Sequence, residues 1–226
     1  MQFTFYGHAC FAVEVEGKKL LFDPFISGNE KAKSIAVDAI EADYILVSHG
    51  HEDHLADVER IAKRTGAKVV SNFEIVTYFG KKGIENGHPM NHGGSWNFDF
   101  GTVKYVNAIH SSSFPDGSYA GNPGGFIVSS KEKTFYYSGD TALTMDMKLI
   151  GEYEKLAFAV LPIGNNFTMG VKEAIIASDF IKCNKIIGIH YDTFGYIEID
   201  HKKAIADFKA RGKELILLNI GQTIEI

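Results

Sequence analysis

Only two of the 226 residues are cysteine, Cys10 and Cys183, and neither sits in a close pair with another cysteine or a histidine of zinc-finger type. A disulfide framework is excluded, and a reducing compartment suits the chain. No segment offers ~18 uninterrupted apolar residues, and the opening Met1-Gln2-Phe3-Thr4-Phe5-Tyr6 has no basic stretch leading into an apolar run. The expectation is a cytoplasmic protein without a membrane span. Basic charge is also in short supply: 23 Lys and Arg stand against 28 Asp and Glu, a formal net charge of -5. A polyanion gains no general attraction from that balance, so a small molecule is the expected partner and nucleic acid is not. No stretch has the composition of a linker, so residues 1–226 are read as one domain. What is abundant is core material, 45% hydrophobic and 12% aromatic, together with nine histidines that gather where the chain turns.

The opening stretch reads as strands: Phe3 to Tyr6, Cys10 to Val15 and Leu20 to Phe22, with Glu16-Gly17-Lys18 as a hairpin turn. Residues 24 to 40 lose that pattern. Ala42 to Val47 is a short buried strand, followed by a helix from about 54 to 64 closed by Thr65-Gly66, a strand Ala67 to Ser71, and a helix Phe73 to Lys82 ended by Gly83. Asn86 to Gly94 shows neither strand nor helix period, so His88 and His92 are expected to face solvent, as is His201. The second half repeats the order of elements without an alignable repeat: strands Trp96 to Phe98, Val103 to Ala108, Phe126 to Ser129 and Thr134 to Tyr137, a helix 143 to 150, a strand Phe158 to Leu161, a helix 171 to 182, a strand Lys185 to Ile189, a helix 201 to 210, and strands Glu214 to Leu218 and Thr223 to Ile226. The long loop 111 to 125 contains no Lys or Arg. Loops of that length inside a compact chain are more often functional than idle.

His49, His51, Asp53 and His54 lie within six residues at the end of a buried strand, where a backbone leaving a sheet can aim several side chains into one crevice. Imidazoles two apart, with Gly50 between them to permit a turn, can share one metal ion. Asp53 and His54 point the other way and suit a second. His110, Asp140 and His190 each follow a strand as well. Any one of them has a bland explanation as a turn or core residue. Their common position at strand exits makes them candidate ligands together.

The run His49-Gly50-His51-Glu52-Asp53-His54 matches the His-x-His-x-Asp-His signature of the metallo-β-lactamase fold superfamily, and the chain resembles that superfamily over nearly its whole length. More narrowly, Tyr6-Gly7-His8-Ala9-Cys10-Phe11, Asp23-Pro24, Pro123-Gly124-Gly125-Phe126, and Leu161-Pro162-Ile163-Gly164 with Phe167-Thr168-Met169-Gly170 resemble the UPF0173 group of metal-dependent hydrolases, close to the lactonase-like branch. The resemblance implies an α/β fold, a four-layer αβ/βα sandwich with a dinuclear site at one edge of two sheets. Carried over, it puts one ion on His49, His51 and His110, the other on Asp53, His54 and His190, and Asp140 between them. Oxygen-reducing diiron members carry a glutamate where His51 stands. An all-nitrogen-and-oxygen set favours zinc, with manganese, iron and nickel compatible in ligand type.

Two ions held close acidify a bridging water, so a metal-bridged hydroxide is the expected nucleophile, with Asp53 both ligating and orienting it. No serine or cysteine nucleophile is then required, which leaves Ser48 as a loop former and Cys10 as a small buried residue. His8 is a candidate proton donor or substrate contact, set against a reading as a surface turn histidine. Asp23 is expected to accept a hydrogen bond from a ligand imidazole. Tyr191 to Phe194 are expected to line a pocket wall, while Thr168 and Met169 are divided between substrate contact and packing. The leading expectation is hydrolysis of a small ester, lactone or phosphodiester. The alternatives are a mononuclear iron dioxygenase on the same scaffold, a metal-dependent nuclease, and a non-enzymatic metal protein, the last disfavoured because structural zinc sites are closed tetrahedra.

Overall fold

Alternating apolar and polar residues give the first three strands, β1 (Gln2–Gly7), β2 (Cys10–Val15) and β3 (Lys18–Phe22), an antiparallel meander. In β2 the period of two is explicit: Phe11, Val13 and Val15 enter one core while Cys10 and Ala12 face another. The computed structural model describes residues 1–226. Three parallel strands, β4 (Tyr44–Leu46), β5 (Lys68–Asn72) and β6 (Gly87–Met90), extend the meander in one direction. The second sheet holds β7 (Ser95–Phe98), β8 (Gly101–Asn107), β9 (Gly124–Ser129), β10 (Thr134–Tyr137), β11 (Phe158–Pro162), β12 (Lys185–Ile189) and β13 (Glu214–Ile216), in order. The last strand, β14 (Thr223–Glu225), returns to the first sheet and pairs antiparallel with β1.

Helices α1 (Glu52–Leu55), α2 (Val58–Thr65) and α3 (Phe73–Lys81) follow β4 and β5, and α4 (Asp146–Tyr153), α5 (Val171–Phe180) and α6 (His201–Lys209) belong to the second sheet. Three buried clusters account for the layers. Phe3, Phe11 and Phe22 meet Phe135 and Phe158 between the two sheets, with Phe22 and Phe135 5.9 Å apart. One outer cluster packs α2 and α3 on the first sheet through Val58, Ile61, Ile75 and Phe79, and the other packs α4, α5 and α6 on the second through Ile150, Ala174 and Phe208. Each of the larger side chains contributes about 1.5–3 kcal/mol by leaving water, Ala174 less. The result is the expected four-layer αβ/βα sandwich.

Three expectations about local structure need correction. The segment 86 to 94 contains the strand β6, whose pattern is hidden by Pro89; proline lacks an amide hydrogen, and β6 is an edge strand that tolerates one. His88 is accordingly packed between Trp96 and Phe98, and His92 stacks on Tyr105 and reaches the carbonyl of Pro123, so neither is simply solvent-facing. His201 is exposed, as expected. The helix expected over 54 to 64 is two helices, broken where the Asp57 carboxylate accepts hydrogen bonds from the Ile26 and Ser27 amides and the Ser27 hydroxyl. The helix expected at 143 begins at Asp146.

The strand directions decide where chemistry can occur. β1, β3 and β4 run parallel, as do β8, β10 and β12, so the residues that follow them all emerge at one edge of the sandwich. Those residues include His8, Asp23, His49, His110, Asp140 and His190.

Candidate metal centre

At that edge the side chains of His49, His51 and His110 bring their ligand atoms within 4.8 Å of one another, and those of His8, Asp53, His54 and His190 form a second such group. Asp140 lies between them. Its Oδ2 is 3.0 Å from His190 Nε2, 3.3 Å from His54 Nε2 and 3.7 Å from His110 Nε2. All seven expected ligand candidates thus converge, and His8 joins them. Far from being a surface turn residue, His8 is buried, with Nε2 3.0 Å from Asp53 Oδ2 and Nδ1 2.9 Å from the Thr193 hydroxyl.

The backbone bends hard to achieve this. His8, Asp23 and His190 all have left-handed angles, φ 56, 41 and 54, and none is glycine. Strained non-glycine residues of this kind gather at functional sites. Gly50 acts differently from the turn expected of it: a Cβ there would stand 2.2 Å from that of Ala120, so its smallness admits the loop 111 to 125 against the His49–His51 segment. From that loop Ser112 Oγ accepts the Gly50 amide hydrogen, and Ser111 Oγ lies 3.3 Å from His51 Nε2.

Beneath the ligands one carboxylate organises the rings. Asp23, wholly buried, accepts hydrogen bonds from the Ser48 amide and hydroxyl, from His54 Nδ1 at 2.7 Å and from the Tyr137 hydroxyl. Because the Ser48 hydroxyl hydrogen goes to Asp23, its oxygen is left to accept from His49 Nδ1 at 2.9 Å. His49 and His54 are both fixed with Nδ1–H donated away, so each presents Nε2 to the cluster. Asp23 was legible as such an acceptor. Ser48 was not, although its place directly before His49 was the available signal.

The electrostatics ask for a cation. Burial works against charge on Asp140 and Asp53, yet His190 and His54 hold the first well below the usual carboxylate range, and His54 and His8 lower the second. Burial likewise opposes charge on His54, but Asp140, Asp53 and Asp23 outweigh it and hold its pKa well above an ordinary imidazole. Burial, helped by His54, pushes His49 well below; burial and His190 bring His8 down to about 4 against the pull of Asp53. Without an ion, a proton on His54 would have to compensate two carboxylates, Asp140 buried and Asp53 partly exposed. His54 Nε2 and Asp140 Oδ1, both buried, have no hydrogen-bond partner. Unpartnered buried polar atoms are rare, and a bound metal ion would satisfy them and supply the charge.

Around the cluster a cavity of about 420 Å³ is lined by His51, Asp53, Asp140, His190, Phe167, Phe194 and Tyr196. Of the residues expected at its wall, Phe194 is there. Tyr191 is buried against Phe5, Asp192 turns away to hold His201 and the Ile199 amide, and Thr193 serves His8. Met169 is core and Thr168 bonds the Met169 carbonyl. Phe167 and Tyr196 were not expected at the site, and aromatic residues in loops carry no local signal that separates lining from packing.

A family model described as a beta-lactamase superfamily domain matches residues 2–190. The chain is 62% identical over 226 residues to a UPF0173 metal-dependent hydrolase of Flavobacterium johnsoniae, covering all of both chains. Among solved structures it is similar to Igni18, a metallo hydrolase of the hyperthermophilic archaeon Ignicoccus hospitalis, with a TM-score of 0.90 and 32% identity over 100% of this chain and 98% of that one. The metallo-beta-lactamase fold protein YhfI of Bacillus subtilis shares the fold at a TM-score of 0.75 and 15% identity, covering 100% and 99% of the two chains. With its strand-exit histidines and aspartates in this arrangement and its sequence matched end to end, the chain belongs to the UPF0173 metal-dependent hydrolase family of the metallo-β-lactamase superfamily.

Proposed function

We propose that the chain hydrolyses a small ester, lactone or phosphodiester with two divalent ions, zinc foremost, held by His49, His51 and His110 on one side and Asp53, His54 and His190 on the other. The observation that carries this reading is the position of Asp140, whose Oδ2 lies within 3.7 Å of imidazoles from both groups and so suits a shared ligand. Ions bound there supply Lewis-acid polarisation of the substrate oxygen and bring a water nearer to neutral acidity.

The protein's own groups do the rest. Asp23 and Ser48 hold two imidazoles with Nε2 inward, which keeps the donor set assembled without rearrangement. Asp53, partly exposed to the cavity, is placed to orient a nucleophilic water. His8, anchored at Nδ1 by Thr193, turns Nε2 toward Asp53; held neutral by its lowered pKa, it can hand the departing oxygen a proton only after receiving, through Asp53, the one the attacking water loses.

The decisive experiment compares zinc- or manganese-loaded protein with and without oxygen on a panel of esters, lactones and phosphodiesters. Anaerobic turnover without redox-active metal is expected. Turnover that appears only with ferrous iron and consumes oxygen would replace hydrolysis by the dioxygenase reading.

A further inference from the structure

Three large aromatic side chains stand over the candidate centre without being part of any core: Phe167 is 50% exposed, Phe194 38% and Tyr196 79%. Exposed aromatics in a group cost solubility and contribute little to folding, so their position calls for an explanation. Phe167 and Tyr196 approach edge to face at 6.2 Å, and Phe194 lies 5.4 Å from the His8 ring.

Their loops are built to hold them there. Asn165 and Asn166 are both left-handed, φ 63 and 57, and the turn is pinned by Met169, whose amide reaches the carbonyl of Thr141 next to Asp140. On the other side, Asp192 is left-handed at φ 59, its amide bonds Ile197, and its carboxylate holds both the Ile199 amide and His201. The aromatic wall is therefore preorganised, which is what a binding surface needs and a loose surface loop lacks.

The charge pattern narrows the occupant. No Lys or Arg lines the cavity, its two aspartates are the candidate metal ligands Asp53 and Asp140, and the flanking loop 111 to 125 has no basic residue either. An anionic substituent would find no partner at the wall. The volume of about 420 Å³ is that of a small-molecule site, in the range of roughly 300–1,000 Å³.

We infer that Phe167, Phe194 and Tyr196 form a specificity wall for an uncharged apolar group, which the substrate, a neutral ester or lactone, carries on its acyl or its alcohol side. The inference rests on the hydrolase reading for the word substrate, while the wall itself is a statement about binding.

The test uses zinc-loaded full-length protein and two substrate series, methyl esters of lengthening acyl chain and acetates of lengthening alcohol, with methyl hydrogen succinate as the anionic comparison. Methyl ketones of matching length serve as unhydrolysable ligands in calorimetry. In at least one ester series kcat/KM should rise about fourfold per added methylene until the cavity fills, the ratio that burial of one methylene supplies, and ketone affinity should rise alongside. Phe167→Ala and Tyr196→Ala should flatten that dependence, and Phe167→Trp, which narrows the cleft, should move the optimum to shorter chains. Trp96→Ala, on an edge strand, should retain it. Ketone affinity that rises with length and flattens in the variants, with no turnover of any ester, would uphold the wall and overturn the ester reading of the substrate. Turnover without length dependence in either series, preference for the anionic ester, length dependence untouched by the wall variants, or no length dependence in ketone binding would each overturn the wall.

Discussion

His190 donates its backbone N–H to the carbonyl of His8 at 2.8 Å, and the two imidazole rings lie 4.1 Å apart. Each residue leaves a strand of a different sheet with left-handed backbone, at a cost of about 1–3 kcal/mol apiece. The bond fastens the two sheets together at the point where the side chains of both converge. His8 is thereby fixed against the cluster from behind, by Thr193, and from the front, by Asp53.

His8→Ala is expected to keep both ions and the fold while losing roughly two to four powers of ten in rate, the range for a positioned acid or base. The loss should shrink for esters with good leaving groups, since a stable departing anion needs no proton. Steady-state kinetics across a leaving-group series checks this, and a uniform loss would assign His8 to substrate positioning instead.

Metal titration followed by elemental analysis should find two divalent ions per chain at saturation. Asp140→Ala is expected to weaken both ions together, because its Oδ2 faces imidazoles of both groups, whereas His190→Ala should weaken mainly one. One ion at saturation in the unaltered protein would end the dinuclear reading.

Ser48→Ala removes the acceptor for His49 Nδ1 but leaves the Asp23 bond to His54, so it should lower the affinity of the ion on His49 about tenfold to a hundredfold and spare the other. Asp23→Ala should lower both. Competition with a chromophoric chelator separates the two affinities, and equal effects from the two substitutions would mean that Ser48 does not act through His49.

Gly50→Ala places a Cβ 2.2 Å from that of Ala120, and the loop 111 to 125 must retreat. Overpacking of this kind costs typically about 1–3 kcal/mol. Chemical denaturation should show that loss, and metal affinity at the His49, His51 and His110 group should fall with it; an unchanged midpoint would show the loop to be yielding.

The convergence of the candidate ligands was legible because they are polar residues directly after apolar strands, and four of them fall between His49 and His54. Asp23 was readable for the same reason, standing between Leu20-Leu21-Phe22 and Pro24. Ser48 was hidden by its ordinariness, since a serine between a strand and a loop serves many ends, and its place directly before His49 was the one hint until its oxygen is seen between Asp23 and His49. The break at Asp57 was equally invisible, because its partners Ile26 and Ser27 are distant in sequence. β6 was missed for a local reason: His88-Pro89 erases the strand pattern on an edge that needs only half its hydrogen bonds. Phe167 and Tyr196 depend wholly on where their loops fold, which neighbouring residues do not determine.

The pairing of β14 with β1 has a kinetic side. Thr4 and Thr223 share a hydroxyl hydrogen bond at 2.8 Å although 219 positions separate them. Until that register forms, β1 is an unprotected edge, able to pair with another chain. Long-range closure of this kind is slow, because the entropy of bringing the ends together is lost before the contact repays it. Refolding at high protein concentration should therefore divide between native closure and aggregation, and a short peptide copying residues 223 to 225 with their neighbours would act as a competitor for the last open place in the sheet.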